Sequence, residues 1–202
     1  MAPRIDKTVI SGVFSLDGQD FDVDNNVWLV GDDDEVLVVD APHDAAPIVA
    51  AVGGRKVRAI VLTHGHNDHL TAAVALREAT GAEIWFNPAD RMLWDVVHPG
   101  AAPDRDLVEG TTFTVAGTTL TALHTPGHSP GSTCLHAPDL GTVFTGDTLF
   151  CGGPGATGRS YSDKPTILAS ITARLMTLPG DTVVRTGHGD DTTIGDEVGH
   201  IS

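Results

Sequence analysis

Cysteine, lysine and tyrosine are all scarce in this chain of 202 residues, and each scarcity excludes something. Two cysteines, Cys134 and Cys151, are too few for the disulfide framework of a small secreted fold, so both are expected as free thiols that pack rather than react. Lysine occurs only at Lys7, Lys56 and Lys164, and Lys plus Arg number 12 against 27 Asp plus Glu, a formal charge of −15. Affinity for a phosphate backbone rests on cationic contacts, so no nucleic-acid partner is expected. No apolar run approaches the length of a membrane span, and Met1–Lys7 lacks the apolar core of a signal peptide. No membrane association and a cytoplasmic location are the expectations. No repeat, linker or low-complexity segment interrupts the chain, so residues 1–202 read as one domain, long enough to bury roughly 70% of its unfolded surface.

What is present is concentrated in Thr63-His64-Gly65-His66-Asn67-Asp68-His69, straight after the apolar run Val57 to Leu62. Three histidines and a carboxylate within six residues are side chains that prefer water, gathered at the end of a buried strand, and few forces but a metal ion gather them there. Imidazole and carboxylate are first-choice ligands for zinc and its neighbours. His64 and His66, at i and i+2, share a face of the strand's extended exit, while Asp68 and His69 open the next helix. Two ligand sets facing two adjacent metal positions result. Downstream, Thr125-Pro126-Gly127-His128, Thr145-Gly146-Asp147 and Thr186-Gly187-His188-Gly189 each place one His or Asp at the tip of a glycine-permitted turn after a β-rich run.

That ordered set, HxHxDH then His, Asp and His, resembles the metallo-β-lactamase superfamily. Within it, the segments Thr-Pro-Gly-His-Ser-Pro-Gly-Ser, Thr-Gly-Asp-Thr-Leu-Phe and the late Gly-His-Gly look most like the glyoxalase II-like thioester hydrolases. The resemblance runs from about Asn26 to Glu197. It implies a four-layered αββα sandwich, two facing mixed β-sheets flanked by helices, with the ligand loops meeting at one edge. Carried over residue by residue, it implies His64, His66 and His128 on one divalent metal ion, Asp68, His69 and His188 on a second, and Asp147 bridging them. Zinc is the first expectation for both ions, with iron or manganese as alternatives. The nucleophile implied is a hydroxide shared by the pair, oriented by Asp68, and the substrate a small-molecule thioester. Cys151 to Tyr161 is longer than the matching glyoxalase II segment, so Arg159 and Tyr161 are candidates for gripping a substrate carboxylate or amide, with a solvated loop as the alternative. Asp40 is a candidate outer partner of a ligand histidine or a plain helix-approach aspartate.

The remaining chain alternates strands and helices. Val9–Leu16, Asn26–Val30 and Val36–Val39 read as strands separated by acidic turns at Asp17–Asp24 and Gly31–Glu35. Asp44 caps a helix ending at Gly53-Gly54, Leu70–Thr80 reads as a helix ending at Gly81, and Asn87-Pro88 opens another whose Met and aromatics are expected in the core. Ala116-Gly117 is a hairpin turn, and Ser162–Pro165 opens the last clear helix. Two other functions share the motif: a persulfide dioxygenase with a single iron, and a lactonase-type hydrolase. The acidic tail Asp190–Glu197 and the few lysines lead to a further expectation, that a thiol less anionic than glutathione, such as mycothiol, is preferred.

Overall fold

A long hairpin opens the chain. In the computed structural model, which describes residues 2–201, β1 (Arg4–Leu16) and β2 (Gln19–Gly31) pair antiparallel from Arg4↔Gly31 to Leu16↔Gln19. The turn is only Asp17-Gly18, both at positive φ (55° and 71°), the two-residue geometry that matches strand twist. The acidic turn expected over Asp17–Asp24 is therefore mostly strand. Ser11 and Ser15 hydroxyls donate across the ladder to Asp24 and Asp20, which partners carboxylates whose abundance argued against a strand.

There follow β3 (Glu35–Val39), α1 (Ala45–Val52), β4 (Lys56–Val61), α2 (Asn67–Leu70), α3 (Ala73–Thr80), β5 (Ile84–Phe86), α4 (Arg91–Val97) and β6 (Arg105–Asp106). The first sheet has the order β1-β2-β3-β4-β5-β6, antiparallel up to β3 and parallel beyond it. Asp44 caps α1 as expected, and Gly53 ends it in the left-handed conformation. The helix expected over Leu70–Thr80 is instead two helices broken at Thr71-Ala72. Of the Met and aromatic residues of α4 expected in the core, Trp94 is buried, whereas Met92 faces solvent.

The second half supplies β7 (Thr112–Val115), β8 (Thr118–His124), β9 (Thr133–Ala137), β10 (Thr142–Gly146), the small hairpin β11 (Leu149–Phe150) and β12 (Gly153–Pro154), α5 (Lys164–Ser170), β13 (Val183–Thr186), β14 (Thr192–Thr193) and α6 (Ile194–Glu197). The second sheet has the order β14-β13-β10-β9-β8-β7, also mixed. Alternation along the strands decides the layers. Trp28, Val30, Leu37, Val39 and Val61 point toward Phe113, Leu120, Leu135 and Phe144 of the second sheet. Their neighbours Val27, Leu29, Val36, Val38 and Ile60 point the other way, onto Ile48, Leu76 and Trp94 of the helices. Cys134, Val143 and Val184 turn outward onto Ile167, Ile171 and Leu175, so the second sheet is covered too. The result is the four-layered αββα sandwich with two mixed sheets.

Candidate metal centre

The two sheets are stitched together where β4, β8, β10 and β13 end. Thr133 N donates to the Thr63 carbonyl and Asn26 N to the Gly187 carbonyl, each at 2.8 Å. These contacts bring four loops to one place, and all seven His and Asp residues singled out in the sequence lie there. Three groups emerge whose ligand atoms lie within 4.8 Å of one another: His64, His66 and His128; His64, His69 and Asp147; and Asp68, His69 and His188.

In the first group His66 Nδ1 faces His64 Nε2 and His128 Nε2, both at 3.0 Å. In the second half of the site His69 Nε2 lies 3.1 Å from His188 Nε2 and 3.5 Å from Asp68 Oδ2. Asp147 stands between the halves, with Oδ1 3.3 Å from His69 Nε2 and Oδ2 3.5 Å from both His128 Nε2 and His188 Nε2. Gly187 makes that approach possible, because a Cβ there would run into the Asp147 carboxylate and the His69 ring.

The outer ring nitrogens are fixed by partners. His69 Nδ1 bonds Asp40 Oδ2 at 2.9 Å, His128 Nδ1 the Ala156 carbonyl at 2.9 Å, and His188 Nδ1 the Asp24 carbonyl at 2.8 Å. A carbonyl accepts only, so each such ring carries its proton outward and turns the lone pair of Nε2 inward. Asp40 also accepts from Thr63 N at 2.7 Å and Thr63 Oγ1 at 2.9 Å, so it is the outer partner of a histidine in the cluster, not merely a helix-approach residue. Replacing it tests that tie. Asp40→Asn is expected to weaken zinc affinity of the Asp68, His69 and His188 set by roughly 10–100-fold, read by competition with a chromophoric chelator. Unchanged affinity would show that packing alone holds His69.

Burial drives the His64 imidazole well below its ordinary pKa and His66 down to about 3, with repulsion from neighbouring imidazoles adding to it. The other half behaves oppositely. Burial disfavours the charged forms there as well, but His69 and His188 sit among Asp147, Asp68 and, for His69, Asp40, which raises His69 well above its usual range and His188 to about 9. Reciprocally, the charge on His69 and hydrogen bonds from His188 and Asn25 overcome burial and hold Asp68 at about 2, and Asp147 also lies well below the usual carboxylate range. Among the described residues, Asp68 Oδ1 and Asp147 Oδ1 are buried with no hydrogen-bond partner. Buried polar atoms left unpaired are costly, and carboxylate oxygens and imidazole lone pairs converging at these spacings fit divalent metal ions.

A cavity of 460 Å³ opens over the cluster, with Phe14, Val23, Phe150 and Ala156 on its walls. Of the two residues considered for substrate, Arg159 stacks its guanidinium 4.6 Å from the Phe21 ring centroid and donates to Gln19 Oε1, tying its loop to the opening hairpin. It borders a small side cavity shared with His66 and His128. Tyr161 is half exposed, at φ 71°, and lines a separate cleft beside Gly65, His66 and Leu93. Cys134 is buried, with burial raising its thiol to about 11, whereas Cys151, expected to pack, is exposed on its loop. The sequence reading missed Asn25, fully buried, whose Nδ2 donates to Asp68 Oδ2 at 3.1 Å and whose Oδ1 meets His43 Nε2 at 2.7 Å. The paired Asn25-Asn26 inside a strand, where asparagine is depleted, is the signal that could have found it.

The model of the metallo-beta-lactamase superfamily matches residues 21–188. The hydroxyacylglutathione hydrolase GloC of Haemophilus influenzae is 33% identical over 188 residues, covering 85% of this chain and 89% of that protein. Among solved structures, the BLEG-1 B3 metallo-beta-lactamase superposes with a TM-score of 0.80 at 28% identity, covering 95% of this chain and 98% of that one. TTHA1623 in a di-iron-bound form gives a TM-score of 0.77 at 32% identity, covering 88% of this chain and 94% of its own.

Proposed function

The chain belongs to the metallo-beta-lactamase superfamily, and from that premise we propose that it is a dinuclear metallo-hydrolase acting on a thioester of a small thiol. The observation that carries the reading is the position of Asp147, within 3.5 Å of histidines from both halves of a complete His/Asp cluster. His64, His66 and His128 would hold one ion, Asp68, His69 and His188 the other, and Asp147 both. A metal pair so held supplies water activated at neutral pH and polarisation of the substrate carbonyl.

The chain's own residues do the rest. Asp68 Oδ1, buried and without a hydrogen-bond partner among the described residues, is free to accept a proton or hydrogen bond from the attacking water. Phe14, Val23 and Phe150 keep bulk water off the reacting carbonyl. The acyl carbon gains a bond to oxygen and loses its bond to sulfur, and the sulfur departs with the electron pair. Besides the cluster residues, Asp24 is the only titratable side chain that lines the cavity among the described residues, so no dedicated acid waits for the leaving group. A thiolate, whose conjugate acid has a pKa of about 8.5, leaves without one, whereas an amine does not.

Among the described residues no lysine or arginine lines the cavity over the cluster, Arg159 is engaged by Gln19 and Phe21, and the chain carries a formal charge of −15. This favours a thiol poorer in carboxylates than glutathione, while the name of the Haemophilus relative makes a glutathione thioester the necessary comparison. The test is a panel of thioesters, lactones, β-lactams and persulfides assayed on metal-analysed protein. Two ions per chain and hydrolysis of thioesters are expected, with kcat/KM for S-lactoylglutathione more than about tenfold below the best substrate, ~1.4 kcal/mol of transition-state binding. A single iron with oxygen uptake on a persulfide would overturn the hydrolase; comparable values for glutathione thioesters would overturn the thiol preference.

A further inference from the structure

Asn25 belongs to the metal site more intimately than a bond to Asp68 requires. Its amide Nδ2 lies 3.1 Å from Asp68 Oδ2, 3.3 Å from His69 Nε2 and 3.4 Å from His188 Nε2. Those three atoms are themselves 3.1 Å (His69 to His188), 3.5 Å (His69 to Asp68) and 3.3 Å (His188 to Asp68) apart. Six edges of nearly equal length describe a tetrahedron with the amide at its fourth corner, and Asp147, 3.3 Å from His69 Nε2 and 3.5 Å from His188 Nε2, would add to these four. The centre of the tetrahedron lies about 2.0 Å from every corner, the distance at which zinc binds imidazole and oxygen.

An amide nitrogen does not ligate a cation, but the two ends of an asparagine side chain exchange places by turning over about one bond. Turned over, Oδ1 occupies the corner and Nδ2 meets His43 Nε2. The imidazole of His43 can serve either orientation. A neutral imidazole accepts or donates at Nε2 according to its tautomer. The place for that ring is built into β1, since a Cβ on Gly12 would collide with it. His43 itself sits at φ 48°, a backbone conformation uncommon for a non-glycine residue.

We propose that the Asn25 side-chain oxygen is a ligand of the metal ion held by Asp68, His69 and His188, with His43 orienting the amide. Site occupancy then depends on a residue outside the seven His and Asp positions. The proposal rests on the dinuclear reading, and the test separates the two. Zinc stoichiometry and affinity are measured by titration against a chromophoric chelator for the parent chain, Asn25→Leu and Asn25→Asp, alongside the visible spectrum of the cobalt-loaded proteins. Asn25→Leu keeps the volume and removes the oxygen, so it is expected to lower affinity for one of two ions by at least about tenfold and to change the cobalt spectrum.

Asn25→Asp decides between a ligand and a mere donor. A ligand role predicts that a carboxylate at the corner keeps or tightens the second ion. If Asn25 only donates to Asp68, the new carboxylate repels it and binding weakens, which overturns the proposal. Two ions bound by Asn25→Leu with parental affinity and spectrum would also overturn it while leaving the dinuclear reading intact. Fewer than two ions in the parent chain would overturn both.

Discussion

Asp147→Ala is expected to abolish turnover by at least about 10³-fold, ~4 kcal/mol of transition-state stabilisation, and to lower metal content in the same preparation. The size follows from position. Asp147 reaches His69, His128 and His188 from the middle of the cluster, so its loss removes a negative charge from both halves at once. The alanine also leaves His69 and His188 without the carboxylate that most favours their protonated forms, which changes the charge of the apo site as well as its ligand count. Cys151→Ala and Tyr161→Phe serve as controls. Cys151 is exposed on its loop and Tyr161 lines a separate cleft, so each is expected to stay within about threefold of the parent, ~0.65 kcal/mol. Metal analysis and kcat/KM on the same samples check the contrast. If Cys151→Ala abolished turnover at full metal loading, a covalent thiol mechanism would replace water attack.

Metal uptake is expected to release about two protons per chain at pH 7 from the Asp68, His69 and His188 half of the site. The sign follows from the metal-free pKa values. His188 is held up at about 9 and His69 well above its ordinary range, so both rings are protonated at neutral pH, yet a ligand imidazole must be neutral. Asp68 at about 2 and Asp147 well below the usual range are already ionised and release nothing. His64 and His66, driven down by burial, are already neutral. Apparent affinity for the second ion should therefore climb by up to about hundredfold per pH unit between pH 6 and 8, and less steeply as pH passes about 9, where His188 has lost its proton. The first ion, for which His64 and His66 are already neutral, should show less of this slope. Calorimetric titration in buffers of different ionisation enthalpy counts the protons directly. Release of no protons at pH 7 would mean that the carboxylates do not hold His69 and His188 charged.

The same charges set how the metal-free protein responds to pH. A histidine whose folded pKa is raised stabilises the fold fully below its unfolded pKa of about 6.5 and loses that contribution as pH rises through about 9. A carboxylate held at about 2 stabilises above its unfolded value of about 3.9 and loses that as pH falls toward 2. Both contributions are complete only between roughly pH 4 and 6.5.

The seven His and Asp positions were legible in the order of residues because metal-ligating chemistry leaves a spacing that survives without coordinates: i, i+2, i+4 and i+5 from His64 to His69, then one ligand at each of three glycine turns. Helix ends and a hairpin turn were legible for a similar local reason, since Asp44, Gly53, Gly81 and Ala116-Gly117 act on the backbone within a turn of themselves. What acts across the chain was not. Gln19–Asp24 reads as an acidic turn until Ser11 and Ser15 are known to lie opposite, and Cys151 reads as packing until its loop is seen to stand in solvent. Asn25 carries no ligand signature, and only the fold, through the strand order of the first sheet for Asp68 and His69 and a bridge to the second half for His188, brings it within 3.4 Å of residues 43, 44 and 163 positions away. The sequence alone determined which His and Asp side chains could bind a cation. Tertiary structure decided their tautomers, their charges and the corners they occupy, because those depend on low dielectric and on partners supplied by distant backbone carbonyls of Asp24 and Ala156.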